Sequence, residues 1–477
     1  MSQAAQSGEE GGQERSSGAV VLKFGGTSVE DAAALRRVIG IVSRQARPAL
    51  VVVSALAGVT DQLLAAGEQA GRVHLEAAEE KVQALRERHE RVAQELLAGT
   101  AADVYVSYLQ SECEGLAKLL RGVAALGEFS ARTSDRLVGA GELLSSRLLA
   151  EALLQAGSDA VWVDARECIV TDDAYGCARP LRAETDERLG KLVLPLLESG
   201  QVPVLAGFIG ASSEGTPTTL GRGGSDFSAA LVAAGVNARA LEIWTDVDGI
   251  MTADPRLCPD ARLIADISFA EAAELAQAGA KVLHPATLLP ATEKNIPVYV
   301  RNSRRPQSRG TRIVPEGARH AGVRAITAKR GVVIVEARLR RPAEAHSLQQ
   351  ILKACEGYNL DLCSLSRQSV VLLMDSKQAV RHLGRELRDV AEVHGENHKA
   401  IVRVFGERIG RRSRVVGQIF HALDGIEVRL ACPGEGERNL TLVVDEDQAG
   451  ESVRRLHSLF FPTSRQAAQE LTQAGVQ

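Results

Sequence analysis

Aromatic side chains are scarce in this chain, at 3% of 477 residues with only two tryptophans. Single-stranded nucleic acids are held on repeated aromatic platforms, so the shortage argues against that class of binder. An excess of one charge is lacking too. Fifty-six Lys and Arg face 60 Asp and Glu, a formal balance of −4, and nothing global points to nucleic acid or an anionic membrane. The 7 cysteines are odd in number and include no C-x-x-C pair. That speaks against a disulfide framework and a zinc site, and it suits a reducing cytosol. Cys113 and Cys355 fall in helical patterns and read as small buried hydrophobes. No apolar run reaches the length of a bilayer span. Residues 1–18 have no apolar centre for a secretory signal, and Glu9, Glu10 and Glu14 speak against a transit peptide. They read as a disordered tail. A soluble, cytoplasmic protein without nucleic-acid or membrane partners is expected.

What is present is a chain long enough for two to four domains, punctuated by glycine turns. The richest runs from Thr218 to Ser228, with Gly221, Gly223 and Gly224 beside Arg222 and Asp226. An apolar run (202–209) precedes it and a small-residue helical pattern follows (229–234). Glycines let backbone approach a ligand closely, and Ser225 is placed to cap the helix, whose free N–H groups would face an anion. A similar unit opens the ordered chain, where Val20–Phe24 leads through Lys23 into Gly25-Gly26-Thr27-Ser28. Its lysine precedes the glycines, so it is not a Walker A loop. A lysine at the carboxyl end of a central strand still faces the ligand crevice of an open α/β sheet.

Further strands are read at 49–54, 160–164, 241–246 and 296–301, and repeated strand–turn–helix units predict a parallel sheet with helices on its faces. Residues 75–125 form one charge-rich helical stretch, with Val82, Leu85, Val92 and Leu96 as its apolar stripe. Glu142 stands among small residues at a helix start. Asp246, Asp248 and Asp254 sit in a loop that could be turn chemistry or could hold magnesium and a ribose. Lys281 is a second candidate active-site lysine, whereas His284 reads as a turn residue. Arg301–Arg312 reads as a solvated linker. Beyond it, strands at 331–338, 369–374, 399–405, 426–431 and 439–444 and helices near 347–356, 377–389, 412–423 and 449–459 suggest two ferredoxin-like modules.

Together, Lys23-Phe24-Gly25-Gly26-Thr27-Ser28-Val29, Gly221-Arg222-Gly223-Gly224-Ser225-Asp226, Trp244-Thr245-Asp246-Val247 with Thr252–Arg256, and Gly279–Pro285 closely resemble the aspartate kinases of the amino acid kinase family. The resemblance covers about Val20 to Asn302 and continues more weakly to the end. It implies a three-layer αβα amino acid kinase fold with a mostly parallel central sheet, followed by two ferredoxin-like (ACT) α+β modules. The implied boundaries are a tail at 1–18, a catalytic domain at 19–315 and a first ACT-like module at 332–397. A second such module takes 320–331 with 398–463, and a tail takes 464–477. The implied reaction transfers the ATP γ-phosphoryl group, with Mg2+, to the side-chain carboxylate of L-aspartate, opening lysine, threonine and methionine biosynthesis. That carboxylate is already ionised at neutral pH, so no general base is required. Repulsion between two anions must be overcome by positioning and by cations.

By the resemblance, Lys23, Asp226 and Lys281 are catalytic. Arg222 would hold the aspartate α-carboxylate and Glu142 its α-ammonium, with Thr60 and Ser225 completing the substrate pocket. Lys23, Gly25, Gly26, Ser54, Thr245, Asp246, Asp254, Arg256 and Lys281 would meet ATP, Gly224 would give close backbone approach, and no side chain is assigned as a direct metal ligand. Phe227 and Met251 depart from the tyrosine and the aromatic common at these positions. In the first ACT-like module Arg341–Ser347 lacks a glycine-led helix start, and Leu362–Gln368 replaces an acidic effector-facing turn. These departures speak against lysine inhibition and leave another amino-acid effector, or modules that mainly dimerise. A homodimer or higher homo-oligomer is expected, and the chain leaves no room for a fused homoserine dehydrogenase. The competing readings are a kinase for glutamate, N-acetylglutamate, carbamate or UMP, and a sensor that has lost catalysis.

Overall fold

The computed structural model of the chain describes residues 18–45, 48–277, 285–316, 322–434 and 438–462. They divide into two compact units. The first runs to Ile250 and also takes in Ala265–Ala273 and the stretch 285–316; the second holds Met251–Ile264 and most of the C-terminal third.

The first unit is built on a sheet of eight strands in the order β3-β5-β2-β1-β8-β10-β11-β9. These are β1 (Val20–Phe24), β2 (Ala49–Val53), β3 (Ala160–Val163), β5 (Val202–Ala206), β8 (Ala240–Thr245), β9 (Asp266–Ser268), β10 (Val298–Asn302) and β11 (Thr311–Val314). β1, β2, β3, β5, β8 and β10 are mutually parallel, and only the β10–β11 pairing is antiparallel. β1 and β2 are buried along their whole length, as apolar strands covered by helices on both faces must be. A small sheet of β4 (Val170–Thr171), β6 (Ile209–Ser212) and β7 (Pro217–Thr219) stands apart from the large one.

Two sequence expectations change here. The run 202–209 is not one strand but breaks between β5 and β6 at Gly207 and Phe208. Gly207 packs so closely on Ser225 that a Cβ would lie 2.8 Å from the serine Cβ. Phe208 then turns the chain at φ 69, a conformation bulky residues rarely adopt. The stretch 75–125 is two helices, Leu75–Leu96 and Gly99–Leu126. Leu97 and Ala98, both extended, separate them, and Val82, Leu85 and Val92 of the stripe are buried while Leu96 is only partly so.

The second unit is a six-stranded antiparallel sheet ordered β13-β14-β12-β15-β17-β16. Its strands are β12 (Val323–Leu339), β13 (Leu360–Leu365), β14 (Ser369–Met374), β15 (Ala391–Gly406), β16 (Leu430–Pro433) and β17 (Asn439–Asp445). β12 and β15 run through both halves of the sheet, where the sequence suggested the shorter strands 331–338 and 399–405. β12 continues past Gly331 because its pairing with β15 shifts there instead of stopping; Gly331 takes φ 75 and His398 opposite takes φ 58. β13 occupies the first half of the segment read as an effector-facing turn, since it pairs along β14. β16 starts later than the expected 426. Val333, Val335, Leu372, Ile351 and Leu383 form one core. Ile326, Val402, Leu442, Ile419 and Val453 form the other, and Ala253 and Cys258 from the 251–264 segment are part of it.

Candidate active site

Parallel register brings four strand ends to one rim. Phe24 on β1 lies beside Val53 and Trp244, and Trp244 beside Arg301, so the chain leaves β1, β2, β8 and β10 at the same level. This is the carboxyl edge, where open α/β sheets bind ligands. Lys23 is one residue short of it and almost fully buried at 8% exposure. Its Nζ lies 2.6 Å from Asp226 Oδ1.

Asp226 sits in the first turn of the helix Gly224–Gly235, where the positive end of the helix dipole favours a carboxylate. The helix is apolar nearly all round and is buried from Ser228 to Ala234, so its start is fixed against the sheet. Ser228 Oγ also receives the N–H of Phe208 at 2.9 Å. The expected cap by Ser225 is not found. Gly223 is the N-cap, at φ 75 and with no side-chain hydrogen bond, because its left-handed turn starts the helix early and places Ser225 inside the first turn. Gly224 must remain glycine, since a Cβ there would lie 2.6 Å from the Phe208 ring. At Gly26 a Cβ would lie 3.0 Å from the Ala55 carbonyl oxygen, so the turns after β1 and β2 interlock.

These turns open onto a cavity of about 710 Å³ lined by Lys23, Gly26, Ser54, Thr60, Glu142, Gly221–Asp226 and Phe208. The structure thus gathers Lys23, Gly26, Ser54, Thr60, Glu142, Arg222, Gly224, Ser225 and Asp226 around one space. Gly25 borders it, with its N–H donating to the Trp244 carbonyl at 3.1 Å. Thr60 stands in the first turn of the helix Val59–Gly71, after Gly58 at φ 81. Arg222 is exposed.

Glu142 is different in kind. It lies in the first turn of the helix Ala140–Gln155, is buried at 4% exposure, and its Oε2 has no hydrogen-bond partner. Burial pushes its carboxyl up to about 8, against backbone hydrogen bonding at Ala55 and the more distant Lys23 charge. A buried carboxyl with an unpartnered oxygen is costly to keep unless a cation or donor arrives there.

The other candidates separate. Thr245 and Asp246 end β8 at the rim, with Thr245 Oγ1 3.2 Å from Asp246 Oδ1. Asp254 and Arg256 fall in the 251–264 segment of the second unit, where Arg256 Nη2 and Asp254 Oδ2 pair at 2.6 Å. Lys281 and His284 lie outside the described residues. Sequence reasoning missed Asn302 and Ser303, placed in the supposed linker. Both are buried: Asn302 Nδ2 donates to Asp248 Oδ1 at 2.7 Å, Ser303 Oγ meets Ser28 Oγ at 2.8 Å, and Arg305 pairs with Asp248 at 2.5 Å. Their place at the end of β10 and just beyond it, next to a strand the sequence indicated, was the available signal. Asp61 and Phe208, which also line the cavity, were missed as well. Among the described residues no group of three or more His, Cys, Asp or Glu is gathered as a metal cage.

A glycine turn opening a helix, a lysine at a strand end paired with an aspartate, and a buried unpartnered glutamate share one cavity, a set of groups suited to phosphoryl transfer onto a small charged substrate. The Amino acid kinase family pattern matches residues 18–302 and that of an ACT domain residues 402–460. The chain belongs to the amino acid kinase family, among the aspartokinases. It is 36% identical over 462 residues to lysine-sensitive aspartokinase 3 of Escherichia coli, covering 93% of this chain and 99% of that one. To the chloroplastic aspartokinase 3 of Arabidopsis thaliana it is 35% identical, over 93% and 82% of the two chains. The solved structure of E. coli aspartokinase III with aspartate and ADP superposes with a TM-score of 0.80 at 35% identity, over 93% of this chain and 99% of that one.

Proposed function

We propose that this chain transfers the γ-phosphoryl group of ATP to the side-chain carboxylate of L-aspartate, giving 4-phospho-L-aspartate and ADP as an early step of amino-acid biosynthesis. The observation that carries this reading is the cavity itself. It places the Lys23–Asp226 pair and the Gly223–Gly224 helix start within the same space as Arg222 and the unpartnered Glu142. Arg222 takes the α-carboxylate through a planar fork of donors, and Glu142 takes the α-ammonium, which supplies the cation its buried oxygen lacks. Thr60 and Ser225 close the pocket. The glycine turns bring backbone N–H groups to the phosphates. Lys23, held in direction by Asp226, neutralises charge that spreads over the transferring group. Lys281 is assigned to the same task from the motif that carries it.

Ser54, Thr245 and Asp246 are assigned to the nucleotide, and Asp254 and Arg256 on the 251–264 segment to its far end. Mg2+ bound with ATP would add positive charge on the phosphates. Thr245 and Asp246 offer hard oxygens at the rim, which suits an ion carried chiefly by phosphate and water. The domain boundaries stated above are kept as part of this proposal. The C-terminal ACT-like unit is assigned an amino-acid effector. The E. coli relative is named lysine-sensitive, and its structure with lysine and aspartate superposes with a TM-score of 0.80 at 35% identity over 93% of this chain and 99% of that one. That makes lysine the first effector to titrate and disfavours modules that only dimerise. A cytoplasmic homodimer or higher homo-oligomer is proposed; no helix among the described residues is long and apolar enough to cross a membrane.

The test is ATP-dependent trapping of the acyl phosphate as its hydroxamate, with L-aspartate, L-glutamate, N-acetylglutamate and carbamate offered in parallel. Product with L-aspartate alone is expected. ADP release with another acceptor only would replace the reading.

A further inference from the structure

Arg222 and Glu142 lie on separate elements, and something must set the distance between them. One residue outside the cavity touches both supports, the first with its side chain and the second with its backbone. Asp135, on the helix Ala131–Val138, is buried at 2% exposure. Its Oδ1 accepts the Thr219 hydroxyl at 2.7 Å, and its Oδ2 accepts the Thr219 N–H at 3.0 Å. Both oxygens also accept the Gly176 N–H, at 3.0 and 2.9 Å. A buried carboxylate satisfied by neutral donors binds each of them strongly, as charge-assisted hydrogen bonds do.

These donors bear on the glycine turn. Thr219 ends β7 two residues before Gly221, and the Ala178 N–H donates to its carbonyl at 2.8 Å. Gly176 and Cys177 then form the floor under Gly221, where a Cβ would lie 3.1 Å from Cys177 Sγ and 3.3 Å from the Gly176 carbonyl oxygen. Gly221 itself takes φ 74, and the Gly224 N–H closes the turn onto its carbonyl at 2.9 Å. Arg222 is carried on this closed turn. In the other direction, the backbone carbonyl of Asp135 accepts the Gly139 N–H at 3.1 Å, and Gly139 is the N-cap of the helix whose first turn holds Glu142. A Cβ at Gly139 would approach that carbonyl to 3.0 Å, so the join is tight.

We propose that Asp135 is a positioning residue for substrate recognition, tying the Arg222 turn through its carboxylate and the Glu142 helix start through its backbone. It thereby sets the spacing at which the enzyme reads an α-carboxylate and an α-ammonium together. This rests on the roles given to Arg222 and Glu142 above. It explains why an acid stands at this position. Every contact the side chain makes is as an acceptor, so an amide of the same shape would turn an NH2 group against an N–H donor.

The experiment compares Asp135→Asn, Thr219→Val and Arg222→Ala, with Asp135→Asn also combined with Arg222→Ala. Each KM and kcat is read for aspartate and for ATP after thermal melting has verified folding. Asp135→Asn should raise the aspartate KM about tenfold while the ATP KM stays within about twofold. Thr219→Val, which removes only the hydroxyl contact, should act in the same direction by about threefold. The combined variant should be no worse for aspartate than Arg222→Ala alone by more than about twofold, since the carboxylate works through that arginine. Equal rises in both KM values, or full additivity with Arg222→Ala, would reduce Asp135 to a general structural role and overturn the proposal. If Asp135→Asn does not fold, Thr219→Val decides, and an unchanged aspartate KM there overturns it. If Arg222→Ala itself leaves the aspartate KM unchanged, the substrate assignment fails first, a result distinct from the failure of Asp135.

Discussion

The side of the site assigned to aspartate and the motif assigned to ATP are built differently. Thr60, Glu142, Arg222, Lys23 and Asp226 belong to one compact unit and line one cavity. Each stands at a strand end or in a glycine turn or first helical turn held by buried neighbours. The nucleotide motif is divided. Thr245 and Asp246 end a strand of the first unit, while Asp254 and Arg256, only a few residues on, are part of the second. Ala253 and Cys258 of that segment are buried in the second unit's own core. The residues assigned to the amino acid therefore lie within one folded unit, whereas those of the nucleotide motif are divided between two.

The largest effects should separate chemistry from recognition within the first unit. Lys23→Ala removes the cation nearest Asp226 and should lower kcat by about 10²- to 10³-fold, as loss of a transition-state charge partner does. The aspartate KM should move by no more than about threefold, since uniform binding is not what this lysine supplies. Arg222→Ala should do the reverse, raising the aspartate KM about 10- to 100-fold with a smaller change in kcat. Steady-state kinetics on the two variants tests both. A Lys23 variant whose loss falls mainly on KM would move it to the substrate side.

Glu142 predicts a pH signature that belongs to the aspartate side alone. With its carboxyl held up to about 8 by burial, it must lose a proton before it can hold an ammonium. Below pH 8 the aspartate KM should therefore rise, approaching about tenfold per unit toward pH 6, and it should level off above pH 8. The ATP KM should not follow. Glu142→Gln should abolish the slope and bind aspartate weakly throughout. The same raised value destabilises the free protein as pH increases. Stability from the protonated, buried form is complete below the ordinary carboxyl range, near 4.5, and is lost as pH rises toward 8. Thermal melts should thus show Glu142→Gln more stable than the parent at pH 8 and nearly equal to it at pH 4.5.

Much of the first unit was legible because its signals are local. A buried apolar strand followed by glycines marks a strand–turn–helix unit wherever it occurs, so Lys23, Gly26, Arg222 and Asp226 could be placed on turns before any fold was known. Their roles came from resemblance. What the sequence hid is what depends on partners distant in the chain. Nothing in the sequence singles out Asp135, whose partners Gly176 and Thr219 lie 41 and 84 residues away in the chain. Asn302 and Ser303 look like linker because Arg and Pro surround them, yet parallel pairing of β10 with β8 carries them to the rim. The break at Gly207 needed Ser225 packed against it. Nothing in residues 251–264 announces that they leave the sheet they interrupt for the core of another unit.

That segment offers the finest test of the division. Thr252 is a hub within the second unit: its N–H donates to the Arg262 carbonyl and its own carbonyl accepts the Ile326 N–H, at 2.8 and 2.7 Å. Its Oγ1 accepts the Arg262 N–H at 2.8 Å and lies 2.9 Å from His457 Nε2. A hydroxyl carries one hydrogen and two acceptor lone pairs, so with the Arg262 N–H donated to it Oγ1 can still bond neutral His457 in either tautomer. Burial, with Arg262 adding to it, holds His457 below the usual histidine range and favours this neutral form. Thr252→Val keeps the shape and strips both contacts from a buried position, at a cost of about 1–3 kcal/mol. The second unit should melt earlier by calorimetry, and the ATP KM should rise about threefold as Asp254 and Arg256 lose their support. The aspartate KM should stay within about twofold, because its site lies within the other unit. Equal movement of both KM values would erase the distinction between the two sides. A shifted melt with neither KM altered would remove Asp254 and Arg256 from the nucleotide and leave Thr245 and Asp246 as its readers.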